Sequence, residues 1–167
     1  MNSVLLDLYT DYLISSNHYR TATGLAAILD GAVSHDKVTR FLARENYKSK
    51  DLWNFVKPTV RGLESENGAL IFDDTLEAKP YTDENELICW HYDHVTGKSV
   101  KGVNILSALV RYGDIALPVA FENVEKPIVY CDIKTKKIKR LATRTKNEMF
   151  RDMISQSIKN KIKYTYV

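Results

Sequence analysis

The feature that most constrains this chain is Gly68-Ala-Leu-Ile-Phe-Asp73-Asp74-Thr75, four apolar residues running straight into two adjacent carboxylates. An apolar run this short, opened by Asn67-Gly68, reads as a buried central strand over residues 69–73. Carboxylates are seldom buried unless paired or bound to metal, so acids at the tip of such a strand need a reason. Either the strand carries an acid to the edge of a divalent-cation site, where a hard cation such as Mg2+ takes carboxylate oxygens, or it ends in an Asx-type turn, where Asp is common.

Upstream of Gly68 the pattern is helical. Val4, Leu5, Leu8, Tyr9, Tyr12 and Leu13 recur at helical spacing and predict a helix over residues 4–14, broken by Ser15-Ser16-Asn17. Residues 21–45 predict two helices around a turn. Thr21 or Thr23 caps the first, Asp30-Gly31 turns the chain, and Ser34 caps the second with Asp36 in its first turn. Val38, Phe41 and Leu42 are expected inside, with Lys37, Arg40 and Arg44 outside and Thr39 beside them. That outer face fits a major groove, where Arg suits phosphates and guanine edges alike. Many helix pairs with a Gly turn bind nothing, and Asp36 on the same face counts against DNA. A further helix is expected over 49–64, capped by Ser49, with Leu52, Phe55, Val56, Val60 and Leu63 inward and Pro58 kinking or splitting it. Glu64-Ser-Glu-Asn-Gly68 then reads as a boundary between a helical domain over 1–66 and a second domain over 67–167.

From Gly68 the pattern changes to strands. An extended segment is expected over 87–94, then a turn at Thr96-Gly97-Lys98. Apolar runs over 103–111 and 115–122 form a hairpin through Tyr112-Gly113-Asp114. Thr145-x-x-Glu148 is a capping box opening a helix with Met149, Phe150, Met153, Ile154 and Ile158 inward, ended by Asn160. Residues 161–167 alternate Ile162, Tyr164 and Tyr166 against Lys163, Thr165 and Val167 and read as a last strand. Strand, antiparallel hairpin, crossover helix and parallel strand is the order of the first half of a ribonuclease-H-like core. The fold class expected is therefore α+β or α/β, preceded by a helical unit with a helix-turn-helix near 21–45.

Composition narrows the function classes. The chain is 44% apolar and 27% charged, as globular proteins are, and no run reaches the roughly 18 apolar residues of a membrane span. The first residues hold no basic leader and no secretory core, which reads as cytoplasmic. Cys89 and Cys131 form no C-x-x-C pair and read as reduced, buried thiols. There is no G-x-S-x-G, Walker or G-x-G-x-x-G motif to support nucleophilic or nucleotide chemistry. The net charge of +3 hides an asymmetry, because residues 126–167 hold 12 Lys and Arg against 3 Asp and Glu. Lys134, Lys136, Lys137, Lys139, Arg140, Arg144 and Lys146 fall in what reads as a loop into the crossover helix. Such a run suits phosphates of a nucleic acid, or is a solvated basic linker.

Ile71-Phe-Asp-Asp-Thr-Leu-Glu-Ala-Lys-Pro-Tyr81, Trp90-His-Tyr-Asp-His94, Gly97-Lys-x-x-Lys-Gly-Val-Asn-Ile-Leu106 and Thr145-Lys-Asn-Glu-Met-Phe-Arg-Asp-Met153 together resemble the DDE transposases of bacterial insertion sequences, of the insertion-sequence-four type, over about residues 20 to 167. The resemblance implies duplex DNA at element ends as substrate, near the bacterial nucleoid. It also implies two divalent ions, Mg2+ or Mn2+, held by Asp, Asp and Glu while a hydroxyl attacks a phosphodiester. It implies Asp74 as the first of these acids, with Asp73 the second choice and a further metal ligand. The second Asp of such proteins stands just beyond the strand matching 161–167, and the last acid here is Asp152. The implied protein is thus the front portion of a transposase, which binds DNA, binds metal weakly and does not cut alone. The strand at 161–167 would then have an edge without a partner, and self-association through it is expected. Two other readings stay open: a helix-turn-helix regulator, and a metal-dependent nuclease completed by dimerisation. His91-x-Asp93-His94 finds no fourth ligand at a zinc spacing and reads as a polar patch beside the first acid.

Overall fold

The computed structural model describes residues 3–17, 20–44 and 46–167; positions 18 and 19 and position 45, the last of the expected helix pair, lie outside them. The described residues form a mixed α/β architecture of five helices with antiparallel sheets. None of those helices is long and apolar enough to cross a membrane. The chain parts into two compact units, Met1–Asn46 and Tyr47–Val167.

The first unit holds α1 (Ser3–Ser15), α2 (Ala22–Ile28) and α3 (His35–Arg44). The Thr21 hydroxyl accepts from the Gly24 N–H at 3.0 Å and caps α2. Asp30 and Gly31 turn the chain with φ of 48° and 78°, a region that glycine reaches without steric cost. Ser34 Oγ accepts from the Lys37 N–H at 3.3 Å and starts α3. Leu5, Tyr12, Leu25, Val38 and Phe41 make the core. Leu42, expected inside, is exposed, because one step beyond Phe41 turns the side chain about 100° round the helix.

The second unit is built on β3 (Lys98–Tyr112). It pairs antiparallel along one edge with β1 (Ala69–Ala78), from Ala78↔Gly102 to Ala69↔Arg111. Its other edge takes β2 (Cys89–Asp93) against residues 98–102 and then β4 (Ile115–Asn123) against residues 105–112. The β3–β4 turn is the expected one, with Gly113 at φ 58°. The register slips between Ala108 and Leu109, opposite Pro118, which has no N–H for a regular ladder.

One face of this sheet is covered by two helices. From α4 (Ser49–Leu63) come Trp53, Val56 and Val60, and from α5 (Lys146–Lys159) come Met149 and Met153. They pack on Leu70, Leu106, Ala108, Val110, Val119 and Ala120. This packing puts α4 in the sheet unit, so the compact units divide upstream of the boundary expected at 66/67. Trp53 takes the inward place expected of Phe55, which is exposed. Pro58 does not split α4. Ser49 is not its cap either: its hydroxyl accepts from the Phe121 N–H at 3.1 Å, while Asp51 accepts from the Lys48 N–H at 2.9 Å. α5 opens with the expected capping box of Thr145 and Glu148. Ile158 is exposed, and Ser157 occupies the buried position beside it.

Three strand expectations need correction. β1 is not a central strand ending at Asp73; it lies at the sheet margin and runs on to Ala78, so both acids sit mid-strand. The basic segment is not a loop, since β5 (Ile128–Asp132) and β6 (Lys137–Leu141) pair as a separate two-stranded sheet. Its turn is closed by Asp132 Oδ1, which accepts from the N–H groups of Lys134 and Thr135 at 2.9 and 3.1 Å. The density of lysines hid the period of two. Residues 161–167 return beside β1 in the expected parallel sense but make one bridge, Ala69↔Tyr166, instead of a strand. The Leu70 N–H donates to the Tyr166 carbonyl at 2.8 Å, and the Tyr112 hydroxyl donates to the Lys163 carbonyl at 2.7 Å. Arg61 of α4 holds the start of this segment through the carbonyls of Asn160 and Lys161. Cys131, expected buried, is exposed, whereas Cys89 is buried.

Gly102 is where β1 and β2 both press on β3. A Cβ there would meet the Glu77 carbonyl oxygen at 2.1 Å, and that atom belongs to backbone locked in the ladder. Gly102→Ala is expected to destabilise the protein by about 1–3 kcal/mol, the usual cost of overpacking. Urea unfolding of wild type and variant checks this, and an unchanged midpoint would mean that β1 yields at this point.

Candidate active site

Adjacent residues on a strand point to opposite faces, so Asp73 and Asp74 cannot serve one site from a regular β1. Asp74 shares the phase of Leu70 and Phe72, which point to the helix-covered face. Asp73 points the other way and accepts from the Thr75 hydroxyl at 2.9 Å. The pair that the sequence places side by side is therefore separated.

Asp74 is held by two neighbours. Its Oδ2 receives the Lys146 ammonium at 2.6 Å, and its Oδ1 receives the Asn104 amide at 2.6 Å. Lys146 is the first residue of α5, while Asn104 lies on β3 opposite Leu76. Burial pushes the Asp74 carboxyl up, but the hydrogen bonds and charge of Lys146 and the bond from Asn104 outweigh it and hold it below its ordinary value. His91 is buried on β2 with Nε2 3.2 Å from Cys89 Sγ. Desolvation, with the charges of Lys126 and Lys146, brings its pKa down to about 4, so the ring is neutral at pH 7. The expected His91, Asp93 and His94 patch is not gathered. Asp93 closes its own turn by accepting from Val95 N–H and Thr96 Oγ1, and His94 packs edge-on to Tyr92.

Asn104 had no role in the sequence reading. The signal was present, because Asn104 stands in the same phase as Leu106, Ala108 and Val110, and a polar residue on the buried phase of a strand needs a partner. Its Oδ1 is buried and finds no hydrogen-bond partner among the described residues.

The remaining predicted residues lie apart. Lys37, Thr39, Arg40 and Arg44 are all exposed on α3; Thr39 Oγ1 donates to the His35 carbonyl at 2.9 Å and Arg40 Nε to the Asp36 carbonyl at 3.2 Å. In the basic segment Lys139 pairs with Asp132, Arg144 with Asp152, and Arg140 with Glu84 at 3.4 Å. Lys134, Lys136 and Lys137 are exposed and form no salt bridge among the described residues. Lys146, expected on phosphate, pairs with Asp74 at 2.6 Å.

A family described as DDE superfamily endonuclease matches residues 3–167. The chain belongs to this family. Comparison with curated proteins and with solved structures gives no match. The family supports a nuclease or transposase class of function with DNA as substrate, and its members typically use divalent metals. The residues around Asp74 do not fit such a centre. They offer one carboxylate, already paired with a cation, and one amide oxygen, whereas Mg2+ takes about six oxygens. Among the described residues no three His, Cys, Asp or Glu side chains gather for a metal.

Because the folded pKa of Asp74 is lowered, its contribution to stability is present above the unfolded carboxylate pKa and is lost as pH falls through the folded value. Lys146→Met leaves burial opposed chiefly by Asn104. The Asp74 pKa should rise and the acid-side loss of stability should begin at higher pH. A carboxyl-carbon NMR titration checks this, and an unmoved Asp74 would show that the pair does not form in solution.

Proposed function

We propose that this chain is the part of an insertion-sequence-four-type DDE transposase that binds DNA and presents the first catalytic acid, Asp74. In this reading it meets duplex DNA in the bacterial cytoplasm and does not cut or join DNA by itself. The observation that carries it is the placing of Asp74: mid-strand on β1, on the helix-covered face, antiparallel to β3 and beside the returning residues after α5. That order supports the first half of a ribonuclease-H-like core. A plain regulator has no need of a carboxylate held there. Inactivity is supported by the pairing of Asp74 with the Lys146 ammonium, which already takes up the charge of that carboxylate.

DNA binding rests on α3 and the basic segment. The α2–turn–α3 arrangement, with Lys37, Thr39, Arg40 and Arg44 exposed, supports a helix-turn-helix over 21–45. Lys134, Lys136 and Lys137 suit phosphates. The chain should bind duplex DNA with a steep salt dependence, and Arg40→Ala or Arg44→Ala should each lower the log–log salt slope by about one. Titrations at two salt concentrations test this; affinity indifferent to salt would refute it. The same complexes given Mg2+ or Mn2+ should stay uncut. Cleavage that Asp74→Asn abolishes would instead support the nuclease completed by dimerisation.

Self-association belongs to this reading. Beyond the bridge at Ala69, no strand among the described residues pairs with the outer edge of β1, and such edges template association. Light scattering over a concentration series should show growth in mass, and a constant monomer mass would remove this element.

A further inference from the structure

A groove of about 550 Å³ opens between β2 and β6. Trp90 and Tyr92 line it from β2, Lys137, Lys139 and Arg140 from β6, and Lys126 from the connection after β4. The aromatic rings alternate with buried Cys89 and His91, so both emerge from one side of the strand. They are 54% and 56% exposed, unusual for side chains with so much apolar surface. Two residues apart on a strand, they stand roughly 6.6 Å apart along it. The groove is held in shape by the Lys126 ammonium, which donates to the Trp90 carbonyl at 2.6 Å, and by Arg140, which donates to the Lys126 carbonyl at 3.3 Å. Four cations line it against one carboxylate, Glu84, which pairs with Arg140; a second acid, Asp132, lies behind Lys139.

We propose that this groove binds single-stranded DNA, with bases stacked on Trp90 and Tyr92 and phosphates on Lys137 and Lys139. The inference rests on the DNA reading above for the polymer and adds the form of it. A duplex keeps the faces of its bases covered by their neighbours, so exposed rings gain little from it. An unpaired strand offers both what the rings take and what the lysines take. Aromatic rings interleaved with cations along a groove are the general means by which unpaired strands are held without sequence preference. Asp74 itself does not line the groove, though His91 beside it does, and a nuclease that acts at strand ends has to manage unpaired nucleotides near its cut.

The test uses the tryptophans. Trp53 is 7% exposed and Trp90 is 54% exposed, so quenching of emission by a short oligothymidylate reports on Trp90. The oligothymidylate should quench wild type at low salt. Trp90→Ala should weaken its binding, followed by anisotropy, about tenfold or more. Trp90→Phe should restore most of that loss, while duplex binding stays unchanged in both variants. Equal oligothymidylate affinity in Trp90→Ala and wild type, or saturation without quenching, overturns the proposal. Quenching by an oligoglutamate peptide but not by the oligothymidylate would also overturn it, in favour of an acidic protein segment. Wild type that binds duplex but not the single strand ends this inference and leaves the DNA reading standing; binding of neither ends both.

Discussion

Pairing of β3 along both edges is the constraint on which the sheet unit depends. Among the described residues it is the one strand with strand neighbours on both sides, and it places β1, β2 and β4 relative to one another. Its buried phase runs through Gly102, Asn104, Leu106, Ala108 and Val110, and the last three form one core with residues of α4 and α5. Smallness at Gly102 lets the β1 backbone approach, while Leu106, Ala108 and Val110 fill the layer under the helices. Register follows from this, because a slip of one residue would turn the whole buried phase to the far face.

The same alternation governs the site. Asn104 is on the buried phase of β3 and Asp74 on the matching phase of β1, so the amide of one reaches the carboxylate of the other. α5 starts where its first residue, Lys146, completes the contact. A half-buried carboxylate is tolerated because a cation and an amide replace the water it loses. The arrangement is that of an acid presented and neutralised. His91 nearby stays uncharged because its surroundings are dry and already positive.

Charge in the C-terminal quarter is less available than a count suggests. Of the seven basic residues from Lys134 to Lys146, Lys139, Arg140, Arg144 and Lys146 are engaged with carboxylates. Exposed ion pairs are weak, about 0–1 kcal/mol, so a polyanion can displace them. Their more durable effect is to fix where β6 and the start of α5 lie, and so to shape the groove beside β2.

Much of the fold is legible in the residues themselves. Thr21, Ser34 and the Thr145–Glu148 box mark three helix starts, Asp30-Gly31 and Tyr112-Gly113-Asp114 mark two turns, and Asp74 stands out as a carboxylate after an apolar run. These signals are local: they satisfy hydrogen bonds or dihedral demands within a few positions. What the chain could not reveal by pattern depends on partners far away in sequence. That β1 is marginal, that α4 joins the sheet through Trp53, and that residues 161–167 make one bridge are settled by packing. That Asn104 and Lys146 converge on Asp74 is settled the same way, by two contacts spanning 30 and 72 positions. Sequence spacing put Asp73 and Asp74 together; only the pleat, which turns neighbouring side chains to opposite faces, decided which of them meets Asn104 and Lys146.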